Sequence, residues 1–153
     1  MYLWNDPEAT IVRAARVRNA DMPNYAVRLL EDVHGSLKDQ RVTVLGAAYP
    51  GGVKETAFSG VFSTVAALES AGALVQVHDP LYSNDELRSL GFTPFAEGTE
   101  GDAAIVQAGH VEYLSCVDSR TPGGKDSARW EANTGPQSLA LRYVHCNRRC
   151  TYA

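Results

Sequence analysis

Three glycines, a tyrosine, a lysine, an aspartate and a histidine are the residues of this chain whose types and spacing could do chemistry: Gly46, Tyr49, Gly51, Gly52, Lys54, Asp79 and His110. Gly46 closes the short apolar run 42–45 and opens the stretch GAAYPGGVKE, residues 46–55, ahead of an apolar segment with helical spacing. A glycine-rich turn that enters a helix presents free backbone N–H groups and a partial positive charge, which suit a phosphate. Gly51 and Gly52 let the backbone approach closely, and Lys54 adds a cation. Asp79 ends the next apolar run, where dinucleotide-binding folds place a ribose-binding acid. It can equally cap the turn with Pro80. His110 follows a third apolar run, at the end where an open parallel sheet receives ligands. The opposing reading needs no ligand at all. There is no Gly-x-Gly-x-x-Gly, and Asp79 lies 33 residues after Gly46, further than the usual ~20. A glycine-rich connector between strand and helix accounts for the same residues.

Other reactive side chains point to less. His145, Cys146 and Cys150, with His110 or Cys116 as a further ligand, match no standard zinc spacing, so no metal is expected. His78 precedes Asp79 at a strand end with no nucleophile nearby in sequence, and reads as a packed histidine. Arg148 and Arg149 read as part of a solvated tail.

The elements that would position these residues alternate. Residues 5–35 read as two helical stretches. Asn5 or Asp6 is a cap and Pro7 fits the first helical position. Pro23 forces a kink or a restart near Asp21, and Gly35 ends the second stretch. Residues 42–47 form a strand of the kind buried on both faces. Ser59 is the expected cap of the following helix, with Val61, Phe62, Val65, Ala66 and Leu68 on its buried face, and Gly72 ends it. ALVQVHD, 73–79, is the next strand. Ser83 and Glu86 make a capping box for a short helix. FTPF, 92–95, is a short edge strand, DAAIVQAG, 102–109, a further buried strand, and HVEYL, 110–114, the start of a helix. LALRYVHC, 139–146, is one last candidate strand. Strands alternating with helices predict an α/β, Rossmann-like fold: a parallel sheet with helices on both faces, preceded by a long or kinked N-terminal helix. No repeat is visible.

The bulk composition is that of a globular domain. Of 153 residues 44% are apolar, no apolar run is long enough to span a membrane, and the N-terminus lacks a signal-peptide pattern. A cytoplasmic location is expected. Three cysteines, all beyond residue 115, do not make a disulfide framework. The net charge of −4 conceals a split: residues 1–118 hold 16 acidic and 8 basic side chains, and residues 119–153 hold 2 and 6. A basic tail can bind nucleic acid, but this one lacks interleaved aromatics and a cationic body.

Longer wording sharpens the reading. VRAARVRNADMPNYAVRLL, VTVLGAAYPGGVKETAFSGVFSTVAALESAGALVQVHDP and DAAIVQAGHVEY, in this order within residues 4–115, resemble the UDP-glucose/GDP-mannose dehydrogenase family. The Val-Lys-Glu-Thr-Ala-Phe-Ser-Gly wording is closest to a branch acting on UDP-sugars, such as UDP-N-acetylmannosamine. The resemblance implies an enzyme that oxidises the C6 alcohol of a nucleotide sugar to a carboxylate with two NAD⁺. Its parts are an NAD-binding domain, a central dimerising helix and a C-terminal domain that holds the substrate's nucleotide. It implies UDP or a UDP-sugar as ligand and a homodimer as the assembly. It divides the chain into a dimerisation helix segment, 1–36, a nucleotide-sugar-binding domain, 37–118, and an atypical tail, 119–153.

The departures from the family are also specific. The family's nucleophile is a cysteine in a Gly-Gly-x-Cys loop ahead of the central helix, and Cys116, Cys146 and Cys150 have no such setting. Its catalytic lysine and asparagine would lie upstream as well. The expectation is therefore a fragment with no catalytic residue and no bound NAD, inactive alone. Pro50 stands where the family usually has Lys or Arg, and Lys54 where it often has an acid. Beyond residue 118 the expected strand and Asp-x-Arg turn are absent from the wording, as in a frameshifted or degenerate gene end. The alternative is a non-catalytic dimerisation or binding module that has lost its nucleotide site.

Overall fold

The computed structural model describes residues 9–96, 101–113 and the backbone of 142–145. Helices α1 (Thr10–Ala20) and α2 (Met22–His34) are separated by one residue, Asp21. The backbone bonding continues through it, since Asp21 N–H donates to Val17 and Arg18 and Tyr25 N–H donates to the Asp21 carbonyl. The restart lets Pro23 sit in the first turn of α2, where a missing N–H removes no helical bond. The Asp21 carboxylate accepts from Asn24 and Arg28, at 3.1 Å each, which holds its pKa below the usual carboxylate range. Gly35, at φ 89°, ends α2 as expected. The caps expected at Asn5 and Asp6, and Pro7, lie outside the described residues.

Strands β1 (Arg41–Leu45), β2 (Leu74–His78), β3 (Ala103–Val106) and β4 (Arg142–His145) form one sheet in the order β2-β1-β3-β4. β1 runs parallel to both β2 and β3. β4 runs antiparallel to β3, so the sheet is parallel only in its first three strands. Between β1 and β2 runs α3 (Val61–Ser70), and after β2 the short α4 (Asn84–Ser89). This is the α/β, Rossmann-like architecture the alternation of elements predicted.

Strand side chains alternate between faces, and the core divides accordingly. Val42, Val44, Ala103 and Ile105 cluster with Val27 and Leu30 of α2 and with Val61 and Leu68 of α3. Leu45, Ala104 and Val106 form a second cluster with Tyr113. The helices α2 and α3 thus cover one face; on the other, the described residues include Tyr113. Helix α2 belongs to the α/β core and does not stand apart from it. Helix α1 buries nothing.

Two local expectations need correction. The cap of α3 is Gly60, not Ser59. Ser59 lies one residue earlier, accepting from Val61 N–H at 3.3 Å and donating to the Ala48 carbonyl. FTPF makes only one parallel bridge, Val77 with Pro94, because Pro94 has no N–H with which to extend a ladder. The Ser83–Glu86 capping box forms as expected. Among the described residues no helix is long and apolar enough to cross a membrane.

Candidate functional site

The strand order 2-1-3 reverses direction between β1 and β3, and the carboxyl ends of those two strands form the switch point where open α/β sheets receive ligands. Three connections meet there: the loop 46–60 after β1, the turn 79–83 after β2 and the segment 107–110 after β3. The expected site residues all belong to these connections. Their roles differ from one another.

Two of the glycines are explained by internal packing. Gly46 has φ 98°, and a Cβ there would lie 2.6 Å from that of Ala108. A Cβ at Gly51 would collide with the Gly109 carbonyl. Both positions let the β1 loop lie directly on the segment after β3. Gly52 has φ 79° and open space around it, so it is the backbone conformation that requires glycine there.

Asp79 is the hub. Its side chain is wholly buried. Oδ2 accepts from Ala47 N–H at 2.8 Å and Ala48 N–H at 3.0 Å, and Oδ1 accepts from Leu81 N–H at 2.8 Å. His110 Nε2 lies 3.2 Å from Oδ2, while Nδ1 accepts from Gly52 N–H at 3.2 Å. The donor at Nδ1 fixes the tautomer: Nε2 carries the proton and donates to Asp79. One carboxylate therefore gathers the connections after all three parallel strands. Its oxygens point at protein donors, so a ribose hydroxyl from solution cannot reach them in this arrangement. The capping of the Pro80 turn is the part of the Asp79 reading visible here, through Leu81 N–H.

The outer part of the loop is open. Tyr49 is 60% exposed, though its backbone is fixed by Tyr49 N–H donating to the Glu55 carbonyl at 2.8 Å. Phe58 is 98% exposed at φ 62°, a left-handed conformation uncommon for an aromatic residue. Lys54 Nζ reaches Glu86 Oε1 at 2.5 Å and lies 5.0 Å from the centre of the Tyr82 ring. The expected free cation thus has a partner on α4.

Sequence reasoning missed the Lys54–Glu86 pair, the Asp79–His110 pair and the bond from Thr64 Oγ1 to Gln107 Oε1, 2.9 Å, that ties α3 to the end of β3. Glu86 was visible as a capping residue, but nothing in the wording shows that its second oxygen faces the β1 loop. His78, read as a packed histidine, has Nδ1 2.9 Å from the Tyr113 hydroxyl. Cys116, Cys146, Cys150, Arg148 and Arg149 lie outside the described residues.

Comparison with known proteins gives a likeness among solved structures. No protein-family model and no curated protein matches the chain. Among solved structures, a UDP-glucose dehydrogenase from the hyperthermophilic archaeon Pyrobaculum islandicum is similar over 69% of this chain, with 29% identity and a TM-score of 0.61. The chain spans 26% of that dehydrogenase. The likeness supports the dehydrogenase resemblance at the level of the fold.

Proposed function

We propose that this chain is the nucleotide-holding portion of an NAD-dependent UDP-sugar 6-dehydrogenase, with UDP or a UDP-sugar received at the carboxyl ends of β1 and β3. The observation that carries the reading is the likeness to a UDP-glucose dehydrogenase over 69% of the chain, together with a β1 loop built on the sheet's switch point. In this reading the N-terminus of α3 faces the phosphates, where its first N–H groups have no intrahelical acceptor. Gly46, Gly51 and Gly52 shape the loop, Tyr49 offers its exposed ring and Lys54 its charge. Asp79 and His110 act from beneath, as positioning residues. Exposed Ile11 and Val17 on α1, 85% and 72%, support a homodimer through the N-terminal helices.

The chemistry assigned to these residues is binding and orientation. The parent reaction takes a C6 alcohol to a carboxylate and reduces two NAD⁺. The residues here do not fit NAD: the dinucleotide fingerprint is missing and the only acid at the end of β2 is buried and engaged. Nor does the sequence hold a Gly-Gly-x-Cys nucleophile, so no oxidation step is assigned to these 153 residues.

A second reading, a binding or dimerisation module without a nucleotide site, draws on a different observation. The N–H groups of Ala47, Ala48, Tyr49 and Gly52 are all engaged within the protein. Calorimetric titration with UDP, with GDP and NAD⁺ as controls, separates the two. Saturable UDP binding with neither control binding is the expected result. A folded protein that takes up no UDP at millimolar concentration establishes the second reading.

A further inference from the structure

We infer that Glu86 is a specificity-determining residue that holds Lys54 in reserve, so that only an anion strong enough to displace a carboxylate can recruit the loop's cation; this rests on the nucleotide reading above. The two oxygens of Glu86 face different partners. Oε2 is held by α4 itself, accepting from Ser83 N–H at 2.8 Å and from Ser83 Oγ at 3.0 Å. Oε1 is left to face Lys54. The lysine bond, followed by the Ser83 bonds, lowers the Glu86 pKa to about 2, so the group stays ionised at any physiological pH.

The pair is asymmetric. The carboxylate is anchored by its capping box whether or not Lys54 is present. Lys54 is tethered by a flexible four-carbon stem, with the Tyr82 face 5.0 Å away as its other contact. When the pair opens, it is the lysine that leaves. Both side chains are nearly half exposed, at 46% each, so water and competing anions can reach the pair. A diphosphate brings more charge and more acceptor oxygens than the single carboxylate it replaces. A singly charged anion has no such advantage.

The variant that tests this is unusually clean. Glutamine serves as well as glutamate at the third position of a capping box, so Glu86→Gln keeps α4 capped. It removes the charge, and it can turn an amide N–H₂ toward the ammonium. Calorimetry with UDP at low salt should show E86Q binding about two- to five-fold tighter than the unaltered protein, the range an exposed ion pair is worth. The gain should shrink as salt is added. In a Lys54→Met background the same E86Q change should have no effect. Equal or weaker binding by E86Q, or a gain that persists without Lys54, overturns the inference while leaving the nucleotide reading intact. Absence of UDP binding in both the folded parent and folded E86Q overturns both.

Discussion

At the scale of single residues, the strongest constraint is a buried carboxylate that accepts from donors on three connections. Asn at position 79 would keep one acceptor oxygen but turn an N–H₂ group toward protein donors. Each buried donor left without an acceptor costs about 1–3 kcal/mol. Asp79→Asn should therefore destabilise the fold by about 3 kcal/mol or more, read by urea unfolding with circular dichroism. A loss below about 1 kcal/mol would show that the carboxylate is not the organiser described here. The sequence made Asp79 and His110 visible separately, because each ends an apolar run. It could not show that they touch. They are 31 positions apart, and what brings them together is the parallel pairing of β1 with both β2 and β3. The same limit applies to Gly46 and Gly51. Their presence reads as ligand chemistry in the sequence, whereas Ala108 and Gly109 explain it by packing.

At the scale of elements, helix identity was easier to read than helix allegiance. Periodicity, Pro23 and Gly35 located both N-terminal helices, and the restart fell at Asp21. The boundary at residue 36 came from the family resemblance and not from this pattern. Amphipathic spacing says that a face must be covered, but not by what. For α2 the cover is α3 and the sheet: Leu30 is 0% exposed and shares its cluster with Val44 and Ile105. For α1 the described residues provide no comparable burial. Substitution separates the two helices. Leu30→Ala should destabilise the folded chain by about 2–5 kcal/mol, the range for a buried leucine. Ile11→Ser should change monomer stability by no more than about 0.5 kcal/mol. Thermal and urea unfolding of both variants at low protein concentration checks this. Similar losses for the two would place α1 inside the same cooperative core.

At the scale of the whole molecule, alternation of strand and helix was sufficient to read the α/β class. The mixed direction of the sheet was not legible, since a lone apolar run such as 139–146 carries no sign of which way it pairs. The order of strands escaped the sequence for a related reason. β1 has a near neighbour in the chain on one side and a distant one on the other, and only the second contact creates the crevice. The arrangement places the loop 46–60 over the seam between β1 and β3, so that whatever opens that seam also disturbs the loop.

The Asp79 hub gives that seam a shared clock. The amides of Ala47, Ala48 and Leu81 donate to the carboxylate itself, and that of Gly52 donates to the histidine it orients. These four hydrogens lie on two separate connections, yet the same opening must release them to water. In deuterium exchange followed by NMR they should lose protection together, with one common opening free energy, because contiguous cooperative units exchange as a group. Independent exchange, with the 47–48 pair fast while Leu81 stays protected, would mean that the carboxylate joins these connections in space without coupling their motions.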